Sequence, residues 1–280
     1  MFERILVPTD GSGPANAALE YAGEIAAEEQ VTVHVLHVVD PDEEDDADEL
    51  LAESREWAGG TDATVIDEKR TGEPRKAILE YAANNGIDAI VMGTRGRRGV
   101  GRLLLGSVTE SVVRDATVPV LVVRGASEVK RRYPFETILV PTDGSVHAEV
   151  ALERALAIAR HDDATVHVLS VVDVTPAAID DRNDLRLERL ENYARDVVDD
   201  AIAAAEKSSV DTVSTVQYGS IDKQIRTYAD EIDADLIVMG THGRSGLDRL
   251  LLGSATERVL RTAKTPVLTV RASTDDRAAD

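Results

Sequence analysis

The chain alternates short apolar runs, rich in β-branched residues, with longer segments in which apolar residues recur every three to four positions. Residues 5–7 form the first apolar run, residues 15–29 follow with a helical period, and residues 31–38 form the next apolar run. Short apolar runs bounded by turn residues are typical of strands buried on both faces, and the helical period predicts amphipathic helices. Strands that alternate with helices predict right-handed βαβ crossovers and a parallel sheet covered on both faces.

The same alternation continues to the end of the chain. Further strands are predicted at residues 64–67, 89–92, 120–123, 212–216, 236–239 and 267–270. Further helices are predicted at residues 46–57, 74–84, 182–207 and 221–231, with two more that begin at Ser107 and Ser254.

Long stretches of the first half return in the second half. Residues 5–12 return as residues 138–145 at an offset of 133, and residues 90–94 return as 237–241 at an offset of 147. The difference of 14 residues matches the shorter helix predicted at residues 46–57, compared with 182–207. A period near 140 residues indicates a duplicated domain and not a solenoid. We predict two domains at 1–125 and 135–272, a linker at 126–134 and a flexible tail at 273–280. Each domain is expected to be an α/β, doubly wound, Rossmann-like fold with five parallel strands.

A glycine-rich loop follows a predicted strand in each copy. The pattern G-x2-G-x9-G-S covers residues 93–107 and again residues 240–254. Open α/β sheets bind ligands at the carboxyl ends of their strands, and the serine opens a helix whose free N–H groups attract anions. The pattern therefore predicts a phosphate site in each copy; glycines that serve only turns are the alternative. It is neither a Walker A loop nor a dinucleotide fingerprint, because the Lys and the G-x-G-x-x-G spacing are missing.

The two loops differ in charge from the rest of the chain and from each other. The net charge of −21 disfavours nucleic acid and anionic membranes as partners. The first loop nevertheless carries four arginines and no acid, and the second has two arginines, one aspartate and His242. We expect the first loop to hold phosphates better at neutral pH. The charged residues of the two loops are Arg95, Arg97, Arg98 and Arg102, and Arg244, Asp248 and Arg249.

Composition narrows the class of protein. The chain has no cysteine, no basic segment followed by an apolar core near its start, and no apolar run near the ~20 residues that span a bilayer. We therefore expect a soluble, cytoplasmic protein without a signal peptide. The many acids, set against only six lysines, suggest a halophilic protein; an ordinary acidic bacterial protein is the alternative.

Other polar residues have two interpretations. Asp10 and Asp143 follow strands, where aspartate either caps a turn or contacts a ligand, and we favour the ligand. The acidic run at 42–46 is expected to be a solvated loop, because contiguous acids lack the alternation of a Ca²⁺ loop. We expect three histidines to be packed and hydrogen-bonded, namely His34, His37 and His167. We expect His147 and His161 at the surface. The serines expected to cap helices are Ser12 and Ser145.

The motif Val-Pro-Thr-Asp-Gly-Ser in each copy, the strand end Leu-His-Val-Val and the loop pattern resemble the ATP-binding branch of the universal stress protein family. The resemblance covers essentially the whole chain as two tandem domains. It implies the fold of the HUP group (adenine nucleotide alpha hydrolase-like) and binding of ATP, with AMP or ADP as alternatives and Mg²⁺ accompanying the nucleotide. The residues implied for the first site are Pro8, Thr9, Asp10, Val38, Met92, Gly93, Arg95, Gly96, Gly106, Ser107 and Val108. Those implied for the second site are Pro141, Thr142, Asp143, Val171, Met239, Gly240, His242, Gly243, Gly253, Ser254 and Ala255.

The resemblance also implies an assembly and a class of function. Family members pair through their last strands, so residues 120–123 and 267–270 are predicted to pair within the chain as a pseudo-dimer. We also expect a further homodimer and an unidentified protein partner. The short helix at 46–57 departs from the family and is expected to leave the first site more open. We predict a nucleotide-responsive stress or regulatory protein without catalytic or metal-binding residues. A slow ATPase or nucleotidyl-transferring enzyme and a non-binding interaction scaffold are the alternatives.

Overall fold

A computed structural model describes residues 2–39, 64–96, 105–125, 132–174, 184–243 and 251–272. The chain divides into two compact units, Met1–Pro134 and Phe135–Asp280. The helix predicted at 46–57, the acidic run at 42–46 and the tail at 273–280 lie outside the described residues, as does most of the predicted linker. The predicted pairing of the two last strands stays a prediction.

Unit 1 alternates strands and helices in the predicted order. Its elements are β1 (Arg4–Thr9), α1 (Gly13–Glu29), β2 (Thr32–Val39), β3 (Thr64–Thr71), α2 (Pro74–Asn84), β4 (Ala89–Gly93), α3 (Ser107–Asp115) and β5 (Val120–Val123). The strands lie in the order β3-β2-β1-β4-β5, and every neighbouring pair is parallel. This arrangement confirms the predicted α/β class.

Unit 2 repeats this arrangement. Its elements are β6 (Thr137–Pro141), α4 (Val146–Asp162), β7 (Thr165–Val172), α5 (Asp184–Glu206), β8 (Thr212–Tyr218), α6 (Ile221–Glu231), β9 (Leu236–Gly240), α7 (Ser254–Thr262) and β10 (Val267–Val270). The order is β8-β7-β6-β9-β10, again with parallel neighbours throughout. Within the described residues, no helix is both long enough and apolar enough to cross a bilayer.

The central strands are buried, whereas the outermost described strand of each unit is polar. Ile5, Leu6 and Val7 of β1 have no solvent exposure, and all five residues of β4 are buried. In contrast, β3 alternates exposed and half-buried residues and runs to Thr71, four residues beyond its predicted end. The predicted strand was too short because residues 68–71 are the polar sequence Glu-Lys-Arg-Thr. An outer strand can include such residues, since only one of its faces needs to be covered. For the same reason β8 continues two residues beyond its predicted end.

Serines begin the first helix of each unit, as predicted. The Ser12 hydroxyl accepts a hydrogen bond from the N–H of Ala15 at 3.3 Å, and the Ser145 hydroxyl accepts one from Ala148 at 3.3 Å. Such a bond satisfies one of the four N–H groups that a helix leaves without a partner at its start. Helix α1 begins at Gly13, two residues before its predicted start, because Pro14 fits the first turn.

The strand histidines pack as predicted, but one histidine prediction was wrong. His34 is hydrogen-bonded to the Tyr81 hydroxyl at 2.9 Å, and His37 Nδ1 donates to the carbonyl of Thr9 at 2.8 Å. His167 is hydrogen-bonded to the Tyr228 hydroxyl at 3.1 Å. His161 is exposed as predicted, whereas His147 is 7% exposed. The prediction failed for His147 because the first turn of α4 packs on the carboxyl end of β9, which the sequence pattern does not reveal.

Candidate functional site

A crevice opens at the carboxyl ends of β1 and β4. The two strands pair only from Ile5 with Ala89 to Leu6 with Ile90, whereas β1 stays paired with β2 up to Thr9. Pro8 follows two residues later and has no N–H to continue a ladder. Because the chain leaves β1 toward β2 and returns on the other side at β4, this point is where the strand order reverses. Open α/β sheets bind ligands at such a point.

The segment after β1 is a tight turn held by its own side chains. The hydroxyl of Thr9 accepts a hydrogen bond from the N–H of Gly11 at 3.2 Å, and Oδ1 of Asp10 accepts one from the N–H of Ser12 at 3.1 Å. Gly11 has a φ of +70°, a conformation that costs glycine little and other residues more. The turn therefore fixes the Asp10 carboxylate at the mouth of the crevice.

The segment after β4 packs directly against this turn. The Ser12 hydroxyl donates to the carbonyl of Arg95 at 3.2 Å, so one side chain both caps α1 and ties the two strand ends together. A β-carbon at Gly96 would collide with Oδ2 of Asp10. A β-carbon at Gly93 would lie 2.5 Å from the carbonyl carbon of Pro14. Gly93 is therefore required by close approach to the first turn of α1, and Gly96 lies directly against the Asp10 carboxylate.

The third glycine places the start of α3 at the crevice. The N–H of Gly106 donates to the carbonyl of Thr94 at 2.8 Å, and the hydroxyl of Thr109 donates to the carbonyl of Gly93 at 2.9 Å. Gly106 is the N-cap residue, and no described side chain caps this helix. Its first helical hydrogen bond runs from the N–H of Glu110 to the carbonyl of Gly106. The N–H groups of the first turn, which begins at the exposed Ser107, therefore have no acceptor within the helix.

Unit 2 repeats the aspartate turn, the close approach of the glycines and the threonine anchor at its own crevice. Pairing of β6 with β9 ends at Leu139, two residues before Pro141, and Gly144 has a φ of +71°. Asp143 Oδ1 accepts from the N–H of Ser145 at 3.1 Å, and a β-carbon at Gly243 would lie 2.6 Å from Asp143 Oδ2. The Gly253 N–H donates to the Thr241 carbonyl at 2.9 Å, and the Thr256 hydroxyl donates to the carbonyl of Gly240 at 2.8 Å. Gly253 caps α7 without a side chain.

Two features distinguish the second crevice from the first. The hydroxyl of Tyr193, on α5, donates to the carbonyl of Asp143 at 2.9 Å and packs over Gly144. The rings of His147 and His242 lie 5.1 Å apart, centroid to centroid, where the first unit has Pro14 and Arg95. The frame of the two sites is therefore the same, but their linings differ.

All the predicted site residues fall within the described part of the chain, and all lie at the carboxyl ends of the strands in their own unit. Those in strands are Pro8, Thr9, Val38, Met92, Gly93, Pro141, Val171, Met239 and Gly240. Those in the connecting turns and loops are Asp10, Arg95, Gly96, Gly106, Thr142, Asp143, His242, Gly243 and Gly253. Those in the first turns of α3 and α7 are Ser107, Val108, Ser254 and Ala255. The other charged residues of the loops, namely Arg97, Arg98, Arg102, Arg244, Asp248 and Arg249, lie outside the described residues.

The sequence analysis missed three residues that shape the sites. Thr109 and Thr256 anchor α3 and α7 to the strand ends, and Tyr193 covers the turn at Asp143. A signal for the two threonines was present, because the pattern Gly-Ser-x-Thr recurs at the repeat offset of 147. No repeat signal identifies Tyr193, since the helix that carries it has its counterpart in the shortened part of the first copy.

Comparison with known proteins identifies a common family. A profile of the universal stress protein family matches residues 1–124 and again residues 134–271. A universal stress protein of Mycolicibacterium smegmatis is 27% identical over 294 residues, which cover 95% of this chain and 96% of that protein. One from Methanocaldococcus jannaschii is 36% identical over 140 residues, which cover 49% of this chain and 82% of that protein. The crystal structure of a universal stress protein from Archaeoglobus fulgidus is similar with a TM-score of 0.67, 27% identity and 97% coverage of both chains.

Proposed function

The chain belongs to the universal stress protein family as a tandem pair of domains, and from this premise we propose that each unit binds an adenine nucleotide, ATP above all, in the crevice between its first and fourth strands. Binding would make the chain a nucleotide-responsive regulatory protein. The phosphates would lie against the first turn of α3 in unit 1 and of α7 in unit 2. Asp10 and Asp143 would accept hydrogen bonds from the ribose hydroxyls, and any Mg²⁺ would arrive with the nucleotide.

The observation that carries the proposal is the glycine-capped helix start, clamped to the strand end in both units. Gly106 and Gly253 provide no side chain that competes for the helix N–H groups, and the partial positive charge of the helix dipole is greatest there. Thr109 and Thr256 fix each helix to its strand. An anion at this position would receive charge-assisted hydrogen bonds of about 1.5–3 kcal/mol each.

The aspartates fit the nucleoside part of the ligand better than the phosphates. In both units Oδ1 is occupied by a backbone N–H and Oδ2 faces the glycine of the loop. A carboxylate held in this way repels phosphate, but it accepts a hydrogen bond from a hydroxyl group. The acceptor at the turn and the donors at the helix start therefore correspond to the two chemically different ends of a nucleotide.

Binding supplies the regulatory link through mass action. A ligand that binds only the folded state stabilises it by RT ln(1 + [L]/Kd), about 2.7 kcal/mol at one hundred times Kd. Nucleotide occupancy would thereby change the stability of the segments at the carboxyl edge of each unit, where a partner could detect the change.

A charge placed at the helix start tests the proposal. Ser107 and Ser254 are exposed, so Ser107→Asp and Ser254→Asp put a carboxylate where the phosphates would bind. The same carboxylate stabilises a helix start by about 0.3–1 kcal/mol, so we expect both variants to stay folded. We expect calorimetric titration with Mg-ATP to give two sites on the intact chain and one in each variant, with at least about tenfold weaker binding at the altered site.

The matched controls are Ser107→Asn and Ser254→Asn, which have the same shape without the charge and should bind within about threefold of the intact chain. Equal affinity in the Asp and Asn variants would exclude the helix start as the phosphate site. No saturable binding of Mg-ATP to the intact chain would overturn the nucleotide proposal.

A further inference from the structure

The two crevices share their frame, and among the described residues of the two loops they differ in charge at one equivalent position. Arg95 follows Thr94 in the first unit, and His242 follows Thr241 in the second. Both threonines donate their backbone N–H to the last strand of their own unit, at 3.0 Å. The two residues therefore leave the strand end at the same point, so the difference between them lies in the side chain.

Arg95 brings a permanent positive charge to the first crevice. Its side chain is half-buried, and its carbonyl accepts a hydrogen bond from the Ser12 hydroxyl. Its α-carbon lies 3.2 Å from the position that a β-carbon at Gly106 would take. The residue is thus placed between the turn that carries Asp10 and the start of α3. An arginine stays charged at any pH at which the protein is folded.

His242 differs from Arg95 in that its ring is turned into the protein. The side chain is 8% exposed, its Nδ1 is 3.0 Å from the Thr241 hydroxyl, and its ring lies 5.1 Å from that of His147 at an interplanar angle of 39°. His147 accepts a hydrogen bond at Nδ1 from the N–H of Ala272 at 3.0 Å, which fixes it as the neutral tautomer with its proton on Nε2. A histidine is mainly neutral at pH 7.5. The first crevice therefore has an arginine at the position where the second has a buried histidine.

We infer that Arg95 and His242 are specificity-determining residues that give the two sites different preferences for phosphate number. The inference rests on the proposed nucleotide function. The first site favours the triphosphate over the monophosphate, and the second discriminates much less between them. The tandem chain therefore presents one ATP-selective site and one site open to AMP.

Coulomb's law gives the size of the effect. Without Mg²⁺, ATP carries about two more negative charges than AMP, since a terminal phosphate is nearly fully ionised at pH 7.5. One positive charge about 8 Å away, at an effective dielectric constant of about 30 and screened over one Debye length of salt, favours those two extra charges by about fivefold in affinity. The ATP-to-AMP affinity ratio of the first site should therefore exceed that of the second by about fivefold or more.

The first test measures each site alone. Ser254→Asp leaves the first site intact and Ser107→Asp leaves the second, and each variant is titrated with ATP and with AMP in EDTA at pH 7.5. The KCl concentration is 0.15 M, or the lowest at which the far-UV circular dichroism is unchanged, because molar salt would screen the difference. A ratio at least about fivefold higher in Ser254→Asp is expected. Equal ratios would overturn the inference and leave the proposed function standing, whereas no binding of either nucleotide by any form would overturn both.

The second test assigns the difference to Arg95. In the Ser254→Asp background, Arg95→Gln should lower the ATP-to-AMP ratio by about fivefold, and Arg95→Lys should keep it, because the charge is retained. The control is Arg4→Gln, which removes the same charge at the exposed amino end of β1. That position is about 16 Å from the carboxyl end of the strand and beyond a Debye length. An unchanged ratio in Arg95→Gln, or an equal fall in Arg4→Gln, would refute the assignment.

Discussion

The threonine that ties α3 to β4 offers the most informative test of the site's construction. Thr109 is 3% exposed, and its hydroxyl donates to the carbonyl of Gly93 at 2.9 Å. Thr109→Val keeps the shape of the side chain and removes the donor. The carbonyl at the end of β4 then loses this partner in a buried environment, and the helix start is no longer held against the strand.

Two magnitudes follow from the loss of this hydrogen bond. A buried hydrogen bond that loses its donor costs about 1–2 kcal/mol of unfolding free energy. With a urea m-value of about 2 kcal/mol per molar, the unfolding midpoint should fall by about 0.5–1 M. If the start of α3 binds the phosphates, poorer alignment of one charge-assisted N–H contact should also weaken ATP at the first site by about tenfold.

Thr109→Ser separates these two effects. Serine keeps the hydroxyl and loses one buried methyl group, which costs about 0.8 kcal/mol, so both variants lose stability for different reasons. Urea unfolding followed by circular dichroism measures the stability, and titration of the Ser254→Asp background with Mg-ATP measures the first site. Only the Val variant should bind more weakly. The reasoning is refuted if Val binds like the intact chain, or if Ser weakens binding as much as Val does.

Two further predictions concern packing and pH. Gly93→Ala should lower the melting temperature by several degrees, because the new β-carbon would lie 2.5 Å from the backbone of Pro14 and overpacking costs about 1–3 kcal/mol. The control is Gly13→Ala, which should not lower the melting temperature because its β-carbon would meet nothing within 4 Å. Burial lowers the pKa of His34 and of His167 below the ordinary 6.5, so the unfolded chain binds more protons below that pH. The unfolding free energy should therefore be greatest above about pH 6.5 and fall as the pH drops from 7.5 to 5.5, and the double variant His34→Gln/His167→Gln should flatten this slope in thermal melts; an equally steep slope would contradict the assignment.

Local signals account for the parts of the fold that the sequence predicted well. The bounds of α2 and α6, and those of β5 and β10, agree with the structure residue by residue. These elements are marked by signals within a few positions of their ends. One is Pro74 at the start of α2, and another is the turn residues that flank the apolar strands. The ends of β3 and β8 were missed because an outer strand is stabilised by its neighbour, through a ladder that polar residues join as readily as apolar ones.

The candidate site was predictable in outline but not in its contacts. The repeated glycines predicted two loops, but sequence spacing cannot show that Gly93 and Gly240 allow close approach to α1 and α4. His147 illustrates the limit most clearly, because a histidine in the first turn of a helix resembles a surface residue until β9 is packed against it. The charge difference between the loops was visible in the sequence; the burial of His242, which removes it from the lining, was not.

The comparison between the two copies separates what builds a site from what selects its ligand. The bonds that hold the frame recur in both units, from the Asp–Ser turn to the threonine clamp, and they depend on backbone groups and small side chains. Among the described residues, the differences lie at positions 14, 95, 147 and 242 and at Tyr193 of unit 2. On the proposed assignment, two sites of one geometry and unequal charge would fill in a proportion set by the ratio of ATP to AMP. Such a chain would respond to that ratio differently at its two sites, whereas two identical sites would respond in the same way.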